Sequence, residues 1–287
     1  MDRLAGVFLI AVSASCFGAA AIFARLAYEA GTDPITLLFL RFTIAAIFMV
    51  TFMAVKGIAF PRGRTLLSLT LMGALGYVGF SLAFFTALTM VPAGLVAILL
   101  YLYPAFVTIW ATVFLKKPVT ILKFGALSVT FAGTILILGP ESGNGQILGI
   151  VLGITAAVLY SIYIVVGSNV ILNAGAFPAS TIVIISAGVI FSGVVAVKGV
   201  QFPATLIGWI SVFAIALVST ALANIAFFAG LKKIDPVNAS MISTLEPVVT
   251  IVLAVVVLGE TVTMPKILGG IMILVAVVFL ARSEAYA

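Results

Sequence analysis

Residues 101–123 read YLYPAFVTIWATVFLKKPVTILK, and residues 244–266 read TLEPVVTIVLAVVVLGETVTMPK. The second stretch repeats the pattern of the first, 143 positions later and without a gap. Pairs at this distance include Phe84-Phe85 and Phe227-Phe228, Tyr103-Pro104 and Glu246-Pro247, Val119-Thr120 and Val262-Thr263, and Lys123 and Lys266. A fixed period of this kind is the signature of a duplicated architecture. We therefore predict two repeats, residues 1–143 and 144–287, that join near residues 139–146.

Composition places both repeats in a membrane. Of the 287 residues, 64% are hydrophobic and 8% are charged, whereas a soluble domain carries about 25% charged residues. Runs of about 18 or more apolar residues predict transmembrane helices. Ten such runs, which we number as segments 1–10, cover residues 4–28, 34–55, 65–90, 92–115, 120–139, 147–171, 179–197, 204–231, 236–258 and 264–281. The predicted fold class is an all-α polytopic membrane protein with ten transmembrane helices.

Basic residues fall mostly on one side of such a ten-helix chain. The larger group comprises Arg3, Lys56, Arg62, Arg64, Lys116, Lys117, Lys123, Lys232, Lys233 and Arg282, and the smaller group comprises Arg25, Arg41, Lys198 and Lys266. Because basic residues accumulate on the cytoplasmic side, both termini are predicted to be cytoplasmic. The net charge of +6 follows from this bias and does not point to nucleic acid as a partner.

Five segments in each repeat predict that the second repeat is inverted relative to the first. Inverted repeats are typical of secondary transporters, in which the substrate site lies near the bilayer midplane between the repeats. Two similar halves of opposite orientation would give two conformations of similar energy, each open to one side of the membrane. The pattern therefore favours transport by alternating access.

Two motifs carry a resemblance to a known family. Leu245-Glu246-Pro247-Val248, followed by Leu258-Gly259-Glu260, resembles the signature of the EamA branch of the drug/metabolite transporter superfamily. The first repeat carries a degenerate copy, Leu102-Tyr103-Pro104-Ala105 followed by Leu115-Lys116-Lys117. Within that family, Tyr101-Leu102-Tyr103-Pro104 and Tyr160 resemble the YddG-type exporters of aromatic amino acids. The resemblance implies an exporting carrier in the bacterial inner membrane, with a central cavity lined by segments 1, 3, 4, 6, 8 and 9.

The duplication also repeats a stripe of polar and aromatic residues. Tyr77, Ser81, Phe84 and Phe85 in segment 3 correspond to Thr220, Asn224, Phe227 and Phe228 in segment 8. On ideal helices each set lies on one face, so both could line a cavity between the repeats. Aromatic faces there would suit a flat solute or hold an ammonium group by cation–π attraction. Ordinary helix packing is the alternative interpretation.

Tyrosines in segments 4 and 6 extend this candidate site. Tyr160 and Tyr163 lie three positions apart, on one helical face. Tyr101 and Tyr103 lie about 200° apart on an ideal helix. Both can face one point only if Pro104 distorts the helix, which proline does by removing a backbone hydrogen bond.

Glu246 is the one acidic residue deep within a predicted segment, which makes it a candidate for substrate or proton binding. The alternative is a structural role, with hydrogen bonds from Ser243 and Thr244.

For Arg25, which can reach Glu29, and for Arg41, we expect local pairing or snorkelling to the interface.

These patterns give a set of candidate residues. The predicted substrate-binding residues are Tyr77, Ser81, Phe84, Tyr101, Tyr103, Tyr160, Tyr163, Thr220, Asn224, Phe228, Ser243 and Glu246. The predicted hinge residues are Pro104, Pro247, Gly76 and Gly79, because breaks at matching positions of two repeats mark the moving site of a transporter. No catalytic residue, metal site or cofactor is predicted.

Several functions fit this sequence to different degrees. The favoured one is a secondary transporter that exports small metabolites, including aromatic amino acids, with a small-molecule substrate and the lipid bilayer as partners. A drug or other-metabolite efflux carrier of the same family is the alternative, and a passive channel would need a ring of like residues. An intramembrane enzyme is disfavoured, since the chain has no His and one Cys. No Gly-rich phosphate loop is present, so no nucleotide-binding subunit is expected.

Overall fold

The computed structural model describes residues 2–87, 90–91, 93–116, 120–138, 147–259 and 263–286. Within these ranges the chain forms helices joined by short connections, and no strand is present. The predicted joint at 139–146 lies outside the described residues, as do Lys117, Val119 and Glu260 of the repeated motifs.

The helices follow the ten apolar segments. Segments 1–5 contain Asp2–Gly18 and Ala20–Glu29; Pro34–Lys56; Gly63–Leu71, the π-helical Met72–Tyr77 and Val78–Ala87; Ala93–Leu100 and Tyr103–Leu115; and Ile121–Leu138. Segments 6–10 contain Ile147–Val170 and the 3-10 turn Ile171–Asn173; Ala176–Lys198; Leu206–Ala216, the π-helical Leu217–Leu222 and Ala223–Leu231; Pro236–Ile242, the 3-10 turn Ser243–Leu245 and Glu246–Leu258; and Met264–Tyr286.

Seven of the described helices, those of segments 1, 2, 3, 6, 7, 8 and 9, are long and apolar enough to cross a membrane. Segments 4, 5 and 10 contribute the shorter apolar helices Tyr103–Leu115, Ile121–Ile137 and Met264–Phe279. Large apolar side chains such as Ile121 and Phe8 point outward, with 94% and 68% of their surface exposed. An exposed apolar surface of this extent suits lipid rather than water. The chain is therefore an all-helical membrane protein, and the count of ten transmembrane helices remains a prediction.

Local sequence explains where several helices begin. The Asp33 carboxylate accepts hydrogen bonds from the backbone N–H groups of Ile35 and Thr36, and Pro34 occupies the first turn. Asp235 caps segment 9 in the same way, and Pro236 follows it. A carboxylate at this position satisfies orphan N–H groups, and proline there loses no hydrogen bond. Asp235 also forms an ion pair with Lys123, 3.1 Å away, which ties segment 9 to segment 5.

Packing between segments follows the correspondence between the repeats. Segment 2 packs on segment 7, and segment 5 packs on segment 10, so in each case a segment meets its own counterpart. Segment 1 packs on segments 8 and 9, while its counterpart, segment 6, packs on segments 3 and 4. These contacts are thus kept when each segment is exchanged for its counterpart, although among the described residues segment 7 packs more extensively on segment 8 than segment 2 does on segment 3.

Counterpart segments that touch run antiparallel. Gly133, late in segment 5, lies against Gly269, early in segment 10, and a Cβ atom on Gly133 would lie 2.7 Å from the Gly269 carbonyl oxygen. At the other pair, Thr36 near the start of segment 2 accepts a hydrogen bond from the backbone N–H of Gln201, just after segment 7. Glycine at the first contact lets two backbones approach closely, as in other membrane helix pairs.

Candidate functional site

Aromatic rings from segments 2, 3, 4, 6 and 8 form one connected group in the interior. We define the aromatic cluster as Phe42, Tyr77, Phe80, Tyr101, Tyr103, Tyr160, Tyr163 and Phe228. Neighbouring ring centroids lie between 4.8 Å, for Tyr103 and Tyr160, and 6.4 Å, for Tyr101 and Tyr103. Tyr77 contacts Tyr163 at 5.5 Å and so links segment 3 to segment 6. These separations are typical of favourable edge-to-face and offset ring pairs.

A break in segment 4 brings two tyrosines of the cluster together. The helix stops after Leu100, and a new helix starts at Tyr103 with Pro104 in its first turn. On a continuous helix Tyr101 and Tyr103 would point in nearly opposite directions, yet their rings lie 6.4 Å apart. The buried Tyr103 hydroxyl donates a hydrogen bond to the Ser240 carbonyl oxygen of segment 9, at 3.2 Å.

Glu246 starts the equivalent helix of segment 9, directly after a 3-10 turn. The residue is partly exposed, and its carboxylate lies within electrostatic range of the hydroxyls of Tyr101, Tyr103 and Tyr160. Among the described residues, no side chain hydrogen-bonds or ion-pairs with this carboxylate. The carboxylate is therefore placed beside the cluster without a protein partner of its own.

The predicted structural role of Glu246 does not fit this geometry. That alternative required hydrogen bonds from Ser243 and Thr244, but the Ser243 hydroxyl donates to the Ala239 carbonyl oxygen and the Thr244 hydroxyl donates to the Met241 carbonyl oxygen. Both hydroxyls reach back to their own helix because serine and threonine can bond the carbonyl three or four residues earlier. Ser243 instead lies against the Tyr103 hydroxyl.

The expectation for Arg41 was wrong, since its side chain points into the protein. Its Nε donates a hydrogen bond to the Thr220 hydroxyl at 2.9 Å, and one Nη donates to the Tyr77 hydroxyl at 3.5 Å. The guanidinium also lies 4.9 Å from the centre of the Phe42 ring. Sequence reasoning missed this residue because its partners come from segments 3 and 8. For Arg25 the expectation was confirmed: it pairs with Glu29 at 3.3 Å.

Several predicted site residues are engaged in helix packing. The Ser81 hydroxyl donates to the Tyr77 carbonyl oxygen, and the Asn224 amide donates to the Thr220 carbonyl oxygen. Both side chains are buried. Phe84 packs in an apolar group with Val91 and Val96.

A π-helical turn alters the predicted face of segment 8. Thr220 lies within the π-helical stretch Leu217–Leu222, and its hydroxyl donates to the Ile215 carbonyl oxygen, five residues earlier. A π turn adds a residue and rotates all later side chains relative to an ideal α-helix. Thr220 therefore faces Arg41, while Asn224 folds back on its own helix. Phe228 is fully buried and contacts Tyr163 at 5.9 Å.

The predicted hinge residues lie at or beside these breaks. Pro104 and Pro247 each occupy the first turn of a new helix. Gly76 lies close to the Tyr163 ring, because a Cβ atom on Gly76 would be 3.4 Å from a ring carbon. Gly79 faces Leu159. The glycines thus permit close contact of segments 3 and 6.

Two cavities lie away from the aromatic cluster. One of about 370 Å³ lies between segments 3 and 7 and is lined mainly by apolar residues, including Phe60, Leu66 and Ile185. The other, of about 310 Å³, is lined by Asp33, Ile35, Lys198, Gly199, Val200 and Gln201, at the ends of segments 2 and 7. Neither contains a residue of the predicted site.

An all-helical membrane protein with a polar and aromatic interior has the features of a membrane transport protein, and comparison with known proteins makes the assignment specific. The pattern of the EamA-like transporter family matches residues 4–139 and again residues 147–282, 143 positions later. The chain therefore belongs to the EamA-like transporter family. The two matched ranges together cover most of the sequence.

Relatives from several organisms bear transporter names. The chain is 25% identical over 283 residues to "Uncharacterized transporter YcbK" of Bacillus subtilis, covering 93% of this chain and 90% of the relative. It is 25% identical over 254 residues to "Uncharacterized inner membrane transporter YedA" of Escherichia coli K12, covering 88% and 82%. A solved crystal structure with 18% identity superposes with a TM-score of 0.82 and covers 97% of both chains. That likeness shows a shared fold.

Proposed function

We propose that this protein is a secondary transporter that exports small metabolites, including aromatic amino acids, by alternating access. Membership of the EamA-like transporter family supports transport of a small molecule across a membrane. The observation that carries the finer proposal is the aromatic cluster, in which Tyr101, Tyr103 and Tyr160 lie within electrostatic range of the Glu246 carboxylate. Such a lining offers rings to a flat side chain and polar groups to a zwitterion.

We further propose ten transmembrane helices in two inverted repeats, residues 1–143 and 144–287. The antiparallel contact of Gly133 with Gly269, and the exchange symmetry of the segment contacts, support this arrangement. The breaks before Tyr103 and Glu246 lie at the same position of both repeats and give the site two matching hinges.

The direction of transport and the location rest on separate observations. Export is inferred from the resemblance to aromatic amino-acid exporters. The distribution of Lys and Arg supports cytoplasmic termini, and the relative in Escherichia coli is named an inner membrane transporter. A bacterial inner membrane location follows as a proposal.

The number of basic groups near the aromatic cluster favours an amino acid over a phosphate ester as the substrate. A highly charged phosphate ester would need several basic groups around it, and Arg41 is the one basic residue in contact with the aromatic cluster among the described side chains. A zwitterion carries one charge of each sign and would need less compensation.

Flux measurements in proteoliposomes test this proposal. Labelled phenylalanine, tryptophan, threonine and a sugar phosphate are compared, with Tyr101→Ala and Tyr160→Ala alongside the unaltered protein. Phe124→Ala is the control, because Phe124 is an aromatic residue that lies outside the aromatic cluster and is 65% exposed. We expect saturable amino-acid flux that both cluster variants reduce and the control preserves. Sugar-phosphate flux without amino-acid flux would refute the substrate class, and flux that does not saturate would indicate a channel.

A further inference from the structure

One basic and one acidic side chain, Arg41 and Glu246, face the aromatic cluster, and they belong to different repeats. Arg41 belongs to the first repeat, and the corresponding position of the second repeat, 144 residues later, is Ile185. Glu246 belongs to the second repeat, and its counterpart in the first is Tyr103. Neither charge recurs at the corresponding position of the other repeat, so the duplication alone does not explain this pair.

The Arg41 guanidinium retains donors that the protein does not use. Arginine has five N–H donors, and Arg41 donates to the Thr220 and Tyr77 hydroxyls only, among the described residues. Those two contacts fix the side chain from segments 8 and 3. A guanidinium that is held at one edge and open at the other is preorganised for a carboxylate, which it can bind through two parallel hydrogen bonds.

The Glu246 carboxylate lies within electrostatic range of Arg41, yet among the described residues the two groups do not form an ion pair. Both residues are partly exposed, whereas Tyr77 beside Arg41 and Tyr103 near Glu246 are buried. The Tyr163 hydroxyl is buried, and within the described part of the chain it has no hydrogen-bond partner. A buried hydroxyl without a partner costs free energy unless something else bonds to it.

We propose that Arg41 and Glu246 form a two-point receptor for a zwitterionic amino acid. The carboxylate of the solute binds the free edge of the Arg41 guanidinium, and its ammonium group binds Glu246. The side chain of the solute packs against the partly exposed rings of Tyr101 and Tyr160. This inference rests on the proposed function, and it adds Arg41 as the residue that determines carboxylate specificity.

Three probes separate the two binding points. Phenylalanine carries both charged groups, phenethylamine lacks the carboxylate, and 3-phenylpropionate lacks the amine. Binding and flux of each are measured in proteoliposomes for the unaltered protein, Arg41→Gln, Arg41→Lys and Glu246→Gln. Arg25→Gln removes the same charge at an exposed site and is the matched control. Thermal unfolding in detergent identifies any variant that fails to fold.

We expect the unaltered protein to prefer phenylalanine over both analogues. Arg41→Gln should lower the preference for phenylalanine over phenethylamine by about tenfold or more, because the carboxylate loses its partner. Arg41→Lys should restore part of that preference, since lysine offers a charge without the planar fork. Glu246→Gln should lower the preference for phenylalanine over 3-phenylpropionate, and Arg25→Gln should leave both ratios unchanged.

The outcomes distinguish this inference from the proposed function. If the unaltered protein neither binds nor transports phenylalanine, the proposed substrate class fails and the receptor fails with it. If phenylalanine is transported but a folded Arg41→Gln weakens phenylalanine and phenethylamine equally, Arg41 is a structural residue and the receptor alone is refuted. A loss of discrimination in Arg41→Gln that Arg41→Lys does not restore at all would also contradict charge-based recognition.

Discussion

Tyr103 and Glu246 occupy the same position in the two halves of the chain. Each begins a thirteen-residue helix, Tyr103–Leu115 and Glu246–Leu258, and each is followed by a proline in the first turn. Both helices end at a residue in the left-handed conformation, Lys116 with φ 52° and Gly259 with φ 67°. The backbone of this motif is therefore conserved between the halves, while its first side chain is a phenol in one and a carboxylate in the other.

The number of transmembrane helices can be tested with reporter fusions. We expect fusions after Ala287 and within residues 141–144 to report opposite sides of the membrane, with Ala287 cytoplasmic. Ten helices, five in each repeat, require this result. If segments 4, 5 and 10 did not cross, the seven remaining helices would place both reporters on the same side. Paired fusions to a periplasmic and a cytoplasmic reporter enzyme make the measurement.

Lys116 should be replaceable by glycine with a gain in stability. Among the described residues it is the one non-glycine side chain with positive φ, and its counterpart is Gly259. Left-handed backbone is unfavourable for residues with a Cβ atom, so Lys116→Gly should raise the free energy of unfolding by about 1 kcal/mol. Gly259→Lys should lower it by a similar amount. Denaturant unfolding in a mild detergent measures both, and a destabilised Lys116→Gly variant would contradict the prediction.

Contact between segments 5 and 10 should depend on Gly133. A Cβ atom there would lie 2.7 Å from the Gly269 carbonyl oxygen, so Gly133→Ala must push the two helices apart. We expect a loss of about 1–3 kcal/mol in unfolding free energy. Gly270→Ala is the control, because nothing lies within 4 Å of its added Cβ atom. That variant should be neutral or gain up to about 1 kcal/mol from helix propensity. Equal effects at both positions would mean that this contact is not tight.

Cysteine labelling should distinguish the residues that line the proposed site from those buried in helix packing. In a Cys16→Ala background, Tyr101→Cys and Tyr160→Cys should react with a small aqueous thiol reagent, because both positions are partly exposed. Ser81→Cys and Asn224→Cys should react at least about tenfold more slowly, since those positions are buried. Phenylalanine should protect the first pair. Fast labelling of Asn224→Cys, with slow labelling of Tyr160→Cys, would place the water-accessible surface on segment 8 instead.

Helix positions followed from sequence because their causes are local. The apolar runs predicted the bodies of the helices, and the predicted starts of segments 2 and 9 at residues 34 and 236 follow the capping residues Asp33 and Asp235. The duplication was also readable, since the family pattern matches twice at the period found in the sequence. The faces of segments 3 and 8 could not be read from a period of 3.6 residues per turn, because both segments contain a π-helical stretch that rotates the later side chains.

The sequence by itself determined that this protein is a helical, duplicated membrane chain with aromatic residues and one carboxylate at matching breaks. Only the tertiary structure decided which of those side chains meet. Arg41 bonds Thr220 from 179 positions away, and Tyr163 contacts Tyr77 and Phe228 from two other segments. Periodicity and capping depend on neighbours within a few residues, whereas the direction of a side chain in a bundle depends on how each helix is rotated against its partners. That rotation is set by packing, so it becomes known only when the helices are assembled.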